Sequence, residues 1–199
     1  MPKKVDHEQR KELILGAALD VFARAGYKDT TLSLIAEEAG VPRTVVYQYY
    51  HDKNEVLYSM VRTKTASMFV ELSKIASDES YGDEADQLLS IFSSILDVAL
   101  ENIPPLTNLL TVMIDAQKNG SDLPAMVRKR TIKLLILVKR ILSKGINSGT
   151  FRAGLDVKKA ADAFFSMTEF SLFSLAVYGR MDKEEALARF RDYLSLIKA

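Results

Sequence analysis

Residues 30–53 read TTLSLIAEEAGVPRTVVYQYYHDK, and the reading of this stretch decides the fold. Neither side of Gly40 shows the alternation of a strand; both sides show helical spacing. Thr30 or Thr31 can cap a first short helix through its hydroxyl, with Leu34, Ile35 and Ala39 as the inner face. Gly40 suits the tight turn that follows. Pro42 fits the first turn of a second helix, where its missing N–H is no loss. Two short helices about a glycine turn make a helix-turn-helix. The first helix packs under the second, which demands small residues such as Ala36 and Ala39. The second must turn one face inward and offer the other to a major groove.

In RTVVYQYY, Val46 and Tyr50 lie four apart and face inward. Arg43, Thr44, Tyr47 and Gln48 fall on the opposite side, with Tyr49 on its edge. Arg43 can read guanine through two hydrogen bonds, Gln48 can read adenine, and Thr44 can meet a thymine methyl. Thr31, Lys53 and the hydroxyls of Tyr47 and Tyr49 suit phosphates, which position a protein without specifying bases. Ser33 completes the expected DNA-contacting set.

Charge does not advertise a nucleic-acid binder. The 199-residue chain has a net charge of +1, and residues 1–62 hold nine basic against nine acidic side chains. Binding must therefore rest on where charges sit, because non-specific affinity scales with the number of phosphates neutralised. Hydrophobic residues make up 48% and charged residues 27%, as in an ordinary globular protein. With no cysteine and with His7 and His51 as the two histidines, disulfides and Cys/His metal sites are excluded, and no cofactor is expected. No signal peptide or bilayer-spanning run is read, so the expected location is the cytoplasm, without membrane association.

Working outward, helical periods run almost throughout, which predicts an all-α chain of about nine helices. A first helix spans about residues 8–25 on Ile14, Ala18, Val21, Phe22 and Ala25, with Gly26 just past its end. Asp52 and Glu55 have capping-box spacing for a long fourth helix to about Ala76. SDESYGD breaks the chain, a fifth helix runs from about Glu84 to Glu101, and Pro104-Pro105 stop it. A sixth covers about Leu106 to Lys118. After NGSDLP, with Pro124 placed for a first turn, a seventh reaches about Asn147. Gly149 to Gly154 turn the chain. Asp156 caps an eighth helix ending at Gly179, and Asp182 with Glu185 opens a ninth. The expected organisation is a DNA-binding domain over 1–53 joined through the shared fourth helix to a larger helical domain over 54–199.

Residues 8–62 resemble the DNA-binding domain of the TetR/AcrR family of bacterial transcriptional regulators. The matching residues run from Ala17-Ala18 and Phe22 through Gly26-Tyr27, Thr30-Thr31, Ile35-Ala36, Ala39-Gly40-Val41, Tyr47 and Tyr50 to Lys53. Two positions depart from the family's habit: Pro42 where Ser is usual, and Thr44 where Gly or Ala is frequent. Beyond residue 62 the resemblance is architectural, apart from a turn of the form Gly149…Phe151-Arg152…Leu155-Asp156.

The resemblance implies a homodimer in which the last two helices pair with their copies in a four-helix bundle. Ala160, Phe164, Ser171, Leu175, Leu187, Phe190 and Leu194 are the expected interface residues. Half-sites about 34–36 Å apart on DNA demand such a two-fold dimer. It also implies a small-molecule pocket among helices four to eight. Met68, Phe92, Leu96, Leu110, Met113, Ile114, Leu137, Met167 and Phe170 are candidates for its lining, each of which also reads as plain core. Asp97, Asp115 and Glu169 stand out as charges within apolar runs. Glu169 either faces a ligand or bonds across the dimer. The expected partners are double-stranded DNA, a mainly apolar small-molecule effector and a second copy of the chain, as in a repressor on a palindromic operator. An all-helical enzyme finds little support, with no metal cluster, phosphate loop or histidine base in the apolar helices. A helical binding or scaffolding protein without DNA binding is the remaining alternative.

Overall fold

A computed structural model describes the backbone of every residue except Met1, Asn102 and Asp122. It also leaves out the side chains of residues 2–6, 61, 64, 65, 79, 103–105, 123, 124, 126, 127, 129 and 130. The side chains of Pro104, Pro105 and Pro124, and Asp122 in the NGSDLP break, therefore lie outside the described residues. In chain order the helices are α1 (Pro2–Asp29), α2 (Leu32–Glu38), α3 (Arg43–Tyr49), α4 (Lys53–Ser77), α5 (Glu84–Glu101), α6 (Ile103–Lys118), α7 (Leu123–Ser148), α8 (Val157–Tyr178) and α9 (Lys183–Ile197). A short 3-10 turn, Glu79–Tyr81, occupies the SDESYGD break.

The local chemistry explains most of these boundaries. Thr31 is the N-cap of α2, its hydroxyl accepting from Leu34 N at 3.2 Å. Asp52 accepts from Glu55 N at 2.9 Å as the capping-box spacing predicts, while the Glu55 carboxylate reaches back one residue further, accepting from His51 N at 2.7 Å. Asp156 and Asp182 cap α8 and α9 in the same way, each accepting at 3.1 Å from the N–H three residues on. Three details differ from the sequence pattern. α1 begins at Pro2 because nothing between it and Gly26 breaks a helix. Pro42 stands at the N-cap of α3, not within its first turn. Leu34 is exposed, and Leu32 packs inward with Ile35 and Ala36 instead.

The chain packs as two compact units. The first comprises residues 1–65 and 105–130, the second residues 66–104 and 131–199. The core of the first unites Ile14, Ala18, Val21 and Phe22 of α1 with Leu32, Ile35 and Ala36 of α2 and Val46 of α3. Tyr50, then Val56, Leu57 and Met60 of α4, and Val112 and Ala116 of α6 complete it. Residues more than fifty positions downstream of the helix-turn-helix thus belong to its core.

The second unit is built on three phenylalanines. Phe92 stacks on Phe190 with ring centroids 4.5 Å apart, and Phe164 meets both edge-on at 6.1 and 5.5 Å. The Gly149–Gly154 turn drops Phe151 into this core. Phe151 N donates to Gly145 O at 2.9 Å, and its ring lies where a Cβ on residue 145 would stand, so that position has to be glycine. Beside it, Glu84 is buried and accepts from Ser148 Oγ at 2.8 Å and Thr150 Oγ1 at 2.7 Å, with Lys144 Nζ at 3.3 Å. Burial alone would raise the Glu84 pKa. The hydrogen bonds from Thr150, Ser148 and Lys144 outweigh it and hold the carboxyl below its ordinary value.

α8 has an inner and an outer face. Ala160, Phe164, Thr168, Ser171 and Leu175 are buried within the chain. Phe170, Phe173 and Val177 on the other side, and Tyr178 at the C-terminal end of the helix, are exposed, by 58%, 48%, 55% and 63%. At 22 residues and a mean hydropathy of 1.2, α8 is long and apolar enough by composition to cross a membrane, which the sequence pattern did not lead us to expect. Its inner face is nonetheless packed into the second unit's core.

Glu84→Gln should destabilise the protein by about 2 kcal/mol in urea unfolding, the scale of lost charge-assisted hydrogen bonds. Because the folded-state pKa of Glu84 is depressed, its contribution is present above the unfolded value and is lost as pH falls through the folded one. The difference between the wild type and Glu84→Gln should accordingly begin to shrink as pH falls past the unfolded glutamate value of about 4.3, and vanish once the pH is below the depressed folded value.

Candidate nucleic-acid interface

The recognition helix α3 is held from below by two side chains four apart. Val46 is fully buried and Tyr50 nearly so, while burial pushes the Tyr50 phenol pKa up. This anchors the opposite face outward. Arg43, Thr44, Tyr47 and Gln48 are all exposed, and Arg43 makes no ion pair or hydrogen bond among the described residues. An unpaired guanidinium beside a threonine, a tyrosine and a glutamine on one helical face can fork onto a guanine while the amide reads adenine. Thr31 is exposed at the start of α2 and Ser33 is half-buried beyond it. Thr31 is already the α2 cap, so any phosphate must be met by its hydroxyl proton, the oxygen being engaged as acceptor.

Two of the expected phosphate anchors have partners within the protein. Tyr49 is half-buried, and its hydroxyl lies 2.6 Å from His7 Nδ1 near the start of α1. Lys53 Nζ donates to Tyr27 O at 2.5 Å and to Lys28 O at 2.8 Å, and stands 4.4 Å from the centre of the Tyr27 ring. Two of its three N–H donors are thus spent on closing the end of α1, and one remains for DNA. The same link is held from the other side by Asp115 of α6, whose Oδ2 accepts from Tyr27 N at 2.6 Å and Lys28 N at 3.3 Å. Tyr27 OH donates to Asn54 Oδ1 at 2.5 Å. Asp115 drew notice in the sequence as a charge within an apolar run; its role here is to satisfy backbone donors of the DNA-binding unit. His7 and this use of Asp115 had no local signal, since their partners are 42 and 88 residues away in sequence.

The candidate effector residues separate. Phe92, Leu96 and Leu137 are core of the second unit, and Met68 and Met167 pack against it. Leu110, Met113 and Ile114 fall in the first unit, where Met113 packs on the core and Ile114 is 56% exposed. Glu169 and Phe170 are exposed, so Glu169 carries no burial penalty that a ligand would need to relieve. Asp97, likewise exposed, pairs with Lys183 at 2.6 Å. A surface cleft of about 430 Å³ on the second unit, lined by Ile75, Tyr81, Leu89, Ser90, Asp97 and Arg191 among others, includes none of the candidate lining residues.

The dimer candidates lie inside the chain. Ala160, Phe164, Ser171, Leu175, Leu187, Phe190 and Leu194 are all buried inside a single chain. Both faces of α8 are apolar, so spacing could not say which one turns in. The large apolar side chains left exposed on these two helices are Phe170, Phe173, Val177 and Tyr178 on α8 and Leu196 on α9.

An outward, polar recognition helix packed over α1 and α2 defines a helix-turn-helix DNA-binding protein. Residues 14–60 match the family model of bacterial regulatory proteins of the tetR family. The fatty acid metabolism regulator of Bacillus subtilis is 26% identical over 152 residues, 76% of each chain. The transcriptional repressor KstR2 of Mycolicibacterium smegmatis is 27% identical over 150 residues, 74% of this chain and 70% of that one. The crystal structure of FadR from Bacillus subtilis in complex with stearoyl-CoA superimposes with a TM-score of 0.77 at 21% identity, over 93% of this chain and 96% of that one. Residues 14–60 thus carry a DNA-binding domain of the tetR family of bacterial regulatory proteins.

Arg43→Ala should relax base preference at one position of the bound site, at a cost of about 1–3 kcal/mol for the preferred base. Anisotropy titrations against duplexes varied one base at a time would reveal it. Lys53→Met should lower the melting temperature as well as DNA affinity, because it removes hydrogen bonds that close α1.

Proposed function

We propose that the chain is a homodimeric repressor that occupies a palindromic operator and leaves it when a mainly apolar effector binds. The observation that carries the DNA half is the exposed, unpartnered Arg43 on the outward face of α3. The relatives named above, a fatty acid metabolism regulator and a repressor, support the regulatory half. A bacterial regulator of this kind works in the cytoplasm, where its DNA is.

Two recognition helices must reach successive major grooves about 34–36 Å apart, which one chain with one α3 cannot do. The exposed apolar strip of Phe170, Phe173 and Val177, with Leu196, is the surface that would seat a second copy. A patch of this kind on a soluble chain marks an interaction site.

The FadR structure with stearoyl-CoA supports an effector of similar character, a long acyl chain on a polar carrier. Met68, Phe92, Leu96, Leu137 and Met167 are the side chains of the second unit that would receive it. The tight stacking of Phe92 on Phe190 means that the chain would enter by parting these rings, selecting a minor open state of the core. Effector and operator then oppose each other to the extent that the effector binds the open state better.

A duplex selected by the protein from random DNA provides the test. Stearoyl-CoA should release it in an anisotropy titration, and coenzyme A alone should not. Failure of every apolar ligand tried to release the duplex would sink the effector assignment. Phe173→Glu should leave the melting temperature within a few degrees of wild type yet yield a monomer by light scattering. Phe190→Glu should unfold the second unit, by about 3–5 kcal/mol, as a charge placed in the core.

A further inference from the structure

His7 sits near the start of α1, 42 residues before Tyr49 at the far end of α3, and the two side chains meet. His7 Nδ1 and the Tyr49 hydroxyl oxygen are 2.6 Å apart, and the rings pack edge-on at 5.7 Å with planes at 71°. The Tyr49 ring also lies 6.4 Å from that of Tyr50, which is anchored in the core. Tyr49 is therefore half-buried and in contact with two rings, on the edge of a helix whose neighbouring Tyr47 and Gln48 are exposed.

The hydrogen bond has two possible polarities, and they are not equivalent toward DNA. A phosphate oxygen can accept but not donate, and a phenol has one proton. If Tyr49 gives that proton to Nδ1, its oxygen turns lone pairs toward an anion. If Nδ1 carries a proton and donates it to the phenol oxygen, the phenol proton is free for the phosphate. The imidazole N–H, the phenol and the phosphate then form one chain in which each bond polarises the next. Nine basic and nine acidic side chains over residues 1–62 leave no bulk positive field here, so directed contacts of this kind carry more of the binding.

We propose that His7 is a positioning residue for operator binding. It fixes the Tyr49 ring and donates from Nδ1–H to the Tyr49 oxygen, so that the phenol proton is delivered to a DNA phosphate. His7 thereby extends the DNA-binding apparatus from the helix-turn-helix to the first turns of α1. Both the Nδ1–H tautomer and the doubly protonated ring satisfy this requirement, and the Nε2–H tautomer does not.

The chain has two histidines, so imidazole 15N resonances can be assigned with His51→Asn as the control. With the duplex selected from random DNA bound, His7 Nδ1 should show the chemical shift of a protonated nitrogen. An unprotonated Nδ1 in the complex overturns the proposal. His7→Phe keeps an aromatic ring without the donor and should weaken binding about tenfold, the loss of one good hydrogen bond. His7→Asn, whose amide can donate from the Nδ1 position, should restore most of that. Equal losses in His7→Phe and His7→Asn would reduce His7 to packing and overturn the proposal. In a Tyr49→Phe background, His7→Phe should add no further loss, and an additive loss would also overturn it. The salt dependence should be the same with and without His7→Phe, because a phenol contact releases no counterion. A shallower slope would mean that His7 is itself a cation on a phosphate, contrary to the role assigned.

Discussion

The DNA-binding unit depends on how the link between α1 and α2 is held. Gly26, at φ 74°, kinks α1 and interrupts its hydrogen-bond ladder just ahead of the peptide groups of Tyr27 and Lys28. Unpaired and partly buried, each such group would cost on the order of 1–3 kcal/mol. Charges of opposite sign meet them: the Asp115 carboxylate takes both N–H groups and the Lys53 ammonium takes both carbonyls. The Tyr27 ring beneath the ammonium stacks near-parallel on Phe22 at 6.4 Å, which ties the clamp to the core. Thr30 Oγ1 closes the turn onto Gly26 O at 2.6 Å. With the link fixed, α2 starts at a set angle, Val41 N returns to Ala36 O at 3.0 Å, and α3 can only lie with Val46 and Tyr50 down.

That constraint assigns work to residues that composition alone would have given to DNA. Lys53 has the charge and place of a phosphate anchor, yet most of its donors are turned inward. Tyr49 shares its hydroxyl with His7. What remains fully outward is compact: Arg43, Thr44, Tyr47 and Gln48. The exposed polar surface of α3 is thus confined to a few side chains, with a neutral charge balance around them. Thr44 presents both a methyl and a hydroxyl on that exposed face.

The second unit follows a different logic, that of sheer apolar packing. Phe92, Phe164 and Phe190 interlock at its centre, and Glu84 bolts the start of α5 to the end of α7 through Ser148 and Thr150. α8 buries one apolar side in its own chain and leaves Phe170, Phe173 and Val177 exposed on another. The hydrophobic pattern was legible, but not its division between inside and outside. Seven side chains that read as an interface between copies turned out to be this chain's own core.

From sequence alone came the class of fold, the helix-turn-helix, a cap at Thr30 or Thr31, the caps at Asp52, Asp156 and Asp182, and the outward set on α3. All of these are local: capping reaches three or four residues, and helical spacing sorts one face from another wherever one side is polar. The tertiary structure decided the rest. Asp115 reaching Tyr27, His7 reaching Tyr49, the inward turn of Lys53 and the buried face of α8 each depend on partners brought from distant positions in the chain. Such choices are energetic, between burial, pairing and solvent. They become definite once backbone donors and apolar surfaces far apart in sequence are placed side by side.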